Sequence, residues 1–426
     1  MKKQKQTVAE KIRARNIKRP PAFLYFVLGN IWKLLFKKKY GVQTTFKTDF
    51  RKEKGPYIFI SNHASRADYI FTGVPLLPNR LNYVAGYNEF HRSHLALVFK
   101  LLGVIPKKNF VPDIYTIKQV GNILKSGGKI AIFPEGMSSI SGANQPVAIG
   151  TGKFIKHFKL PVYYSVIKGG YLTCPKYNLE DRYGRVEVEF DRLFTPEEIE
   201  ALSPEEIEDK INTAIYHDDY KWNKEKGYVY KNNGNIAKDL HDLLYWCPKC
   251  GKEFTMLGEK NTIRCVACGN GATIADTYEM LPFDESCVIP ETQTEWFNME
   301  RERIKEAVKD ENFELVEEVE LGCLPDFELL KDLKTSEIVG SGKIKLNREG
   351  FSYEGTKNGE PFSFHLTPAE IPTCGMCTDV SRFYTFYKGA FMEFYPKTRS
   401  TEKWFMAIEE IHRVTGGKWQ DFKFEK

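Results

Sequence analysis

Tyr57-Ile58-Phe59-Ile60-Ser61 runs straight into Asn62-His63-Ala64-Ser65-Arg66-Ala67-Asp68, and further along Lys129-Ile130-Ala131-Ile132-Phe133 runs into Pro134-Glu135-Gly136. In each case a short β-branched and aromatic run ends abruptly in polar residues, the pattern of a buried strand delivering side chains to the carboxyl edge of a parallel sheet. Open α/β folds place their ligands at that edge. His63 is expected at the strand end and Asp68 near the N-terminus of the next helix, where free amides favour a carboxylate. The turn between them lets the side chains meet. Asp68 then holds one imidazole nitrogen, fixing the tautomer, and the other nitrogen is free to accept a proton.

Working outward, the pattern predicts strands over 57–61, 81–85, 129–133, 161–167 and 185–190, with helices over 88–102, 113–125 and 151–158 between them. Alternating strand and helix argue for an α/β domain with a mostly parallel sheet and flanking helices, over about residues 41–235. Asp113 is a candidate N-cap, with Gly127-Gly128 as the stop of that helix. Two capping boxes, at 195–198 and 203–206, signal a closing helical segment.

The two polar clusters resemble the glycerophospholipid acyltransferases, the 1-acylglycerol-3-phosphate acyltransferase family. The family's Asn-His-x-x-x-x-Asp motif, with a serine in the gap, matches Asn62, His63, Ser65 and Asp68, and its Phe-Pro-Glu-Gly motif matches Phe133 to Gly136. The resemblance implies catalysis by His63 and Asp68. It implies substrate contacts from Asn62, Ser65, Arg66, Lys107, Lys108, Glu135, Gly136 and Ser138, with Glu135 positioning an acceptor hydroxyl or a neighbouring loop.

Gly103-Val104-Ile105-Pro106-Lys107-Lys108 is similar to the phosphate-gripping motif, with Lys108 nearest the usual arginine; a lysine binds phosphate as a point charge without a bidentate fork. Where the family often continues Thr-Arg-Ser, this chain has Met137, Ser138 and Ser139, so Ser138 replaces the customary arginine. Lys107, Lys108 and Arg66 are the cations expected to compensate. The segment 160–166 is similar to the fourth motif, a strand lining the acyl channel. No serine sits in a Gly-x-Ser-x-Gly elbow, so direct transfer from a thioester, acyl-CoA or acyl-carrier protein, is favoured over an acyl-enzyme. The implied oxyanion donors are backbone amides around Gly136 or at the helix end after His63.

The chain has 426 residues, 28% of them charged, and a formal net charge of +6, which suits two or three domains of globular composition. The cations are concentrated. Lys2, Lys3, Lys5, Lys11, Arg13, Arg15, Lys18, Arg19, Lys33, Lys37, Lys38 and Lys39 face only Glu10 in residues 1–40, which points to an anionic surface. The apolar run 22–36 contains Asn30 and Lys33 and is shorter than the ~20 residues of a membrane span. Residues 1–40 therefore read as a basic, amphipathic anchor lying in one leaflet, with Tyr25 and Trp32 at the interface. No small-residue cleavage site follows, so a signal peptide fits poorly. A basic arm also suits nucleic acid, but the aromatic run has no role there and no nucleic acid is expected. Packing of the helix on its own domain is the other alternative.

Cys247-Pro248-Lys249-Cys250-Gly251 and Cys265-Val266-Ala267-Cys268-Gly269 are two Cys-x-x-Cys knuckles flanking a short polar hairpin. Four thiolates at this spacing suit structural, tetrahedral Zn²⁺, so 236–282 reads as a zinc ribbon that props or docks the enzyme. Cys374-Gly375-Met376-Cys377 stands alone, as half of a second metal site or as ordinary buried thiols. Residues 283–338 read as an acidic helical connector. Residues 339–426 read as short strands closed by one amphipathic helix, a pattern that resembles a pleckstrin-homology-like domain.

The expectation is an enzyme at the cytoplasmic face of a membrane, monotopic or peripheral, in contact with anionic lipids. It acylates a lysophospholipid, foremost 1-acylglycerol-3-phosphate. The rivals are another lysolipid acceptor, or a non-catalytic scaffold that recruits partners through the ribbon and the C-terminal domain.

Overall fold

The computed structural model describes residues 5–418, without the side chains of residues 36–38. Lys2 and Lys3 of the basic arm lie outside the described residues, as do the side chains of Lys37 and Lys38. The chain opens with α1 (Val8–Arg13) and α2 (Ala22–Tyr40) and then alternates strand and helix: β1 (Gln43–Phe46), β2 (Tyr57–Ser61), α3 (Asp68–Gly73), β3 (Leu81–Gly86), α4 (Ser93–Leu101), β4 (Ile105–Lys107), α5 (Ile114–Lys125), β5 (Lys129–Ile132), α6 (Thr151–Phe158), β6 (Val162–Lys168), α7 (Gly170–Thr173) and β7 (Glu187–Phe194). Helices α8 (Pro196–Ala201), α9 (Pro204–Ile215) and α10 (Asp219–Lys226) follow.

The seven strands form one sheet in the order β1-β7-β6-β2-β5-β3-β4. Strands β6, β2, β5, β3 and β4 run parallel, and β7 is antiparallel to β6. The continuous apolar run of β2 is explained by burial on both faces. Ile58 and Ile60 pack with Val120, Ile130 and Ile155 on one side. Tyr57 and Phe59 pack with Phe50, Tyr163 and Phe190 on the other. The Asp113 N-cap and both capping boxes form as the sequence predicts.

Three expectations are corrected here. The helix expected over 88–102 breaks at Arg92, whose extended backbone bridges Leu330, so only Ser93–Leu101 is α-helical. Strands β1 and β4 were not expected; both are short edge strands, and Pro106 in β4 is tolerated because an edge strand needs fewer N–H donors. The N-terminal arm is also more than an anchor: Val8, Ile12 and Ile17 are buried, and Arg15 donates to the Phe99 carbonyl at 2.8 Å. Within residues 5–40 the exposed large apolar side chains lie on α2: Phe23, Phe26, Ile31, Leu34 and Leu35. No helix among the described residues is long and apolar enough to cross a membrane.

Beyond α10, β8 (Met256–Glu259), β9 (Thr262–Cys265), β10 (Gly271–Ile274) and β11 (Met280–Pro282) make a four-stranded antiparallel sheet. After α11 (Gln293–Ala307) comes a seven-stranded antiparallel sheet of β12 (Leu315–Cys323), β13 (Glu337–Asn347), β14 (Gly350–Lys357), β15 (Glu360–Leu366), β16 (Gly375–Met376), β17 (Phe383–Tyr387) and β18 (Ala390–Pro396), closed by α12 (Thr401–Val414).

The expected connector over 283–338 is therefore partly sheet, because β12 sits between β13 and β18. Its glutamates hid it: Glu318 and Glu320 point out while Val319 and Leu321 are buried. Helix α12 was expected to be amphipathic but is buried nearly all round. Its polar flank faces α11, where Arg301 pairs with Glu409 at 2.7 Å and with Glu410 at 3.3 Å. One continuous core joins Tyr171 and Tyr177 to Trp246 and Ile263 of the four-cysteine region and to Phe351 and Trp404 beyond it.

Candidate active site

The carboxyl ends of β2 and β5 place His63 and Glu135 side by side. His63 Nδ1 lies 2.8 Å from Asp68 Oδ2. Asp68 is buried at the start of α3 and accepts the Ser65 N–H at 2.9 and 3.0 Å and the Ser65 hydroxyl at 2.8 Å. Burial raises the Asp68 pKa, while His63 and Ser65 hold it down. Both Ser65 bonds favour the ionised carboxylate, the form that orients an imidazole and stabilises its cation. With Nδ1 engaged, Nε2 is the nitrogen left for the cavity.

The backbone of His63 is clamped from two sides. Its N–H donates to Glu135 Oε1 at 2.7 Å, and its carbonyl accepts the Ser139 N–H at 2.7 Å. The His63 ring stacks on Phe133, with centroids 4.6 Å apart. Glu135 also accepts the Asn144 amide at 2.8 Å and the Gln145 N–H at 2.9 Å. Burial pushes its carboxyl up to about 8, against N–H donors that favour the ionised form. Its three partners make Glu135 the bolt between the His63 strand end and the 144–145 loop. Glu135→Ala removes the buried acceptor of three half-buried donors, at about 1 kcal/mol or more for each group left unsatisfied, and a loss of about 3 kcal/mol is expected. Urea unfolding checks this; a loss below about 0.5 kcal/mol, the size of an ordinary surface substitution, would show that the loop is held by other means.

The remaining expected contacts separate. Asn62 spends its amide on the backbone of β6, donating to the Ile167 carbonyl at 2.9 Å and accepting its N–H at 2.7 Å, which extends the β2–β6 pairing by side chain. Lys108 reaches the Gly389 carbonyl and the Tyr87 and Phe386 rings. Neither residue lines the cavity, nor does Glu135. Arg66 lines it but is tied to Asp181 and to the Leu179 carbonyl, the latter at 2.8 Å. Lys107 lines it too and donates to the Lys108 carbonyl at 3.1 Å; burial lowers its pKa. Gly136 sits at φ +83°, where a Cβ would meet the Phe110 ring at 2.8 Å. Its N–H closes onto the Phe133 carbonyl at 3.2 Å, which commits that amide to the turn. Ser138 accepts from Lys176 at 3.3 Å.

The cavity has a volume of about 1960 Å³, well above the ~300–1,000 Å³ of a drug-sized site. Tyr25, Leu28 and Trp32 of α2, Val98 of α4 with Leu102 at its end, and Ile117 and Val120 of α5 give it an apolar arm. Met376, Arg382, Tyr384 and Phe386 form another wall, so the C-terminal sheet closes the site. Motif reading missed that wall and Lys176, because neither is near His63 in sequence.

Residues 42–168 match the family described as Acyltransferase. The acyltransferase-matched segment holds His63, Asp68 and Glu135, and ends before Lys176, the four cysteines and the C-terminal sheet. A 1-acyl-sn-glycerol-3-phosphate acyltransferase of Bacillus subtilis (strain 168) is 26% identical over 113 residues, 26% of this chain, and the chain spans 56% of that relative's length. A crystal structure of the 1-acyl-sn-glycerophosphate (LPA) acyltransferase from Thermotoga maritima is similar with a TM-score of 0.40 and 15% identity, over 48% of this chain and 80% of that one.

Outside the acyltransferase-matched segment, the sulfurs of Cys247, Cys250, Cys265 and Cys268 all lie within 4.8 Å of one another. The Cys247–Cys268 and Cys250–Cys265 pairs are 3.7 and 3.8 Å apart. Thiolates bound tetrahedrally at ~2.3 Å from zinc are spaced by about 3.8 Å, so the donor set fits that ion. Among the described residues no other group of three or more His, Cys, Asp or Glu side chains is gathered this way. Cys374 and Cys377 are buried, and burial pushes the Cys377 thiol up to about 12.

Proposed function

We propose that the protein transfers a fatty acyl group from a thioester, acyl-CoA or acyl-carrier protein, to the free hydroxyl of a lysophospholipid, with 1-acylglycerol-3-phosphate as acceptor. The observation that carries the reading is the 2.8 Å His63–Asp68 pair set in the wall of a large, partly apolar cavity. His63 Nε2 takes the proton from the acceptor hydroxyl, whose oxygen attacks the thioester carbonyl. The C–O bond forms, the C–S bond breaks as the tetrahedral intermediate collapses, and the imidazolium returns its proton to the leaving thiolate. Asp68 steadies the imidazolium meanwhile. Purified protein is expected to acylate 1-oleoylglycerol 3-phosphate with oleoyl-CoA or oleoyl-carrier protein; no transfer across a panel of lysolipids with either donor ends this reading.

The four cysteines hold a structural Zn²⁺ in this reading, and the apolar surface works at an anionic bilayer as a peripheral or monotopic attachment on its cytoplasmic face. Supporting this, Leu34 and Leu35 of α2 are exposed. Helix α4 has no buried residue, although Leu97, Val98 and Leu101 lie on it. Burying a leucine side chain is worth about 1.5–3 kcal/mol, so Leu34→Asp and Leu97→Asp are each expected to weaken binding to phosphatidylglycerol vesicles about 10-fold or more. Cosedimentation reads the effect, and unchanged partitioning of both variants removes this surface from the membrane account.

A further inference from the structure

Lys176 is 4% exposed, yet its side chain lines the cavity that holds His63. Its ammonium has one hydrogen-bond partner among the described residues, Ser138 Oγ at 3.3 Å, and no carboxylate oxygen within ion-pairing distance. That contact sits next to the chemistry, because the following residue, Ser139, donates its N–H to the His63 carbonyl at 2.7 Å. A buried cation without a counter-ion is costly unless something supplies the missing charge.

The protein does not supply it. The carboxylates closest in effect, Asp379 and Glu89, are each engaged by an arginine, Arg382 at 3.1 Å and Arg92 at 2.8 Å. Glu393 is likewise shared among Arg382, Thr335 and Ser336, and Cys377 is a neutral thiol. Burial pushes Lys176 down to about 8, which still leaves the ammonium protonated at neutral pH. Two of its protons remain for a ligand.

We infer that Lys176, seated on Ser138, is the anion-recognising residue of the cavity and takes the phosphoryl group of the acceptor lipid. This rests on the acyl-transfer reading above. The same ammonium would suit a phosphate of the donor, and the two sources separate by which Michaelis constant moves. Nor is the loop that carries Lys176 free to swing. Tyr177 and Arg182 both donate to the Ile236 carbonyl, at 3.0 and 2.9 Å, and the Tyr278 hydroxyl donates to the Leu172 carbonyl at 2.7 Å. The ribbon region thereby fixes the cation in place.

The test compares full-length wild type with Lys176→Gln, which keeps a donor for Ser138 without the charge, and with Lys176→Arg. A charge-assisted bond to phosphate predicts a KM for 1-oleoylglycerol 3-phosphate raised about 10- to 100-fold in Lys176→Gln, with kcat and the oleoyl-CoA KM within about 3-fold, an ordinary context-dependent spread. Lys176→Arg is expected to recover most of the loss. The thermal midpoint of ligand-free Lys176→Gln should equal or exceed that of wild type, since an unpaired buried charge has gone; a peg with a merely structural role would lower it. An unchanged acceptor KM, a rise in the donor KM alone, or a lowered midpoint with kcat and both KM values disturbed together overturns the assignment. If wild type transfers no acyl group at all, the acyl-transfer reading fails alone. Equilibrium binding of 1-oleoylglycerol 3-phosphate then decides Lys176: loss in Lys176→Gln supports the site, whereas equal binding, or none by wild type, overturns it.

Discussion

His63→Ala is expected to lower kcat for acyl transfer by about 10²- to 10⁴-fold, the usual worth of a positioned general base, with the KM of either substrate little changed. The split follows from where His63 stands. Its ring contributes one nitrogen to Asp68 and one to the cavity, and its backbone is bolted by Glu135 and Ser139 whichever side chain is present. Alanine therefore removes the proton acceptor and leaves the pocket and its clamp intact. Steady-state kinetics with a labelled donor read the result. Turnover equal to wild type would falsify the general-base role; a large rise in KM at constant kcat would make His63 a binding residue instead.

Cys265→Ser is expected to release about one zinc per chain and to loosen the site from a distance. Structural zinc sites in small zinc-binding peptides are worth about 10–16 kcal/mol of folding free energy, so a ribbon that loses a ligand does not keep its native form. Cys265 ends β9, and its N–H donates to the Asn270 carbonyl at 2.7 Å inside the knuckle. The damage is expected to travel along named contacts. Tyr278 and Ile236 hold the 172–182 loop through Leu172, Tyr177 and Arg182, and that loop bears Lys176. Amide hydrogen exchange over 170–182 should rise with zinc loss, and activity should fall with it. Wild type that contains no metal, or a zinc-free variant with unchanged exchange and activity, would remove the ribbon from the account.

The local chemistry was legible because it is short-range. His63 and Asp68 are five positions apart, a turn brings them together, and both polar clusters follow strands whose burial on two faces shows as unbroken apolar runs. The same holds for the capping boxes and for the cysteine pairs, where the spacing itself encodes the geometry. Elements failed to show where their neighbours decide their state. The strand 315–323 carries glutamates on one face and borrows its partners from 337–347 and 390–396. Helix 401–414 has a polar flank that reads as solvent-facing until Arg301 is placed against it.

The sequence by itself thus determined an α/β sheet, the histidine–aspartate pair at its edge and a four-cysteine cluster, because each rests on contacts between residues close in the chain or on a repeat with a fixed period. Only the tertiary structure decided that Asn62, Lys108 and Glu135 turn away from the cavity, that the C-terminal sheet walls it, and that Lys176 stands unpaired beside Ser138. Those facts depend on which distant side chains have already satisfied one another, and a buried charge becomes conspicuous only when every neighbour has been assigned a partner.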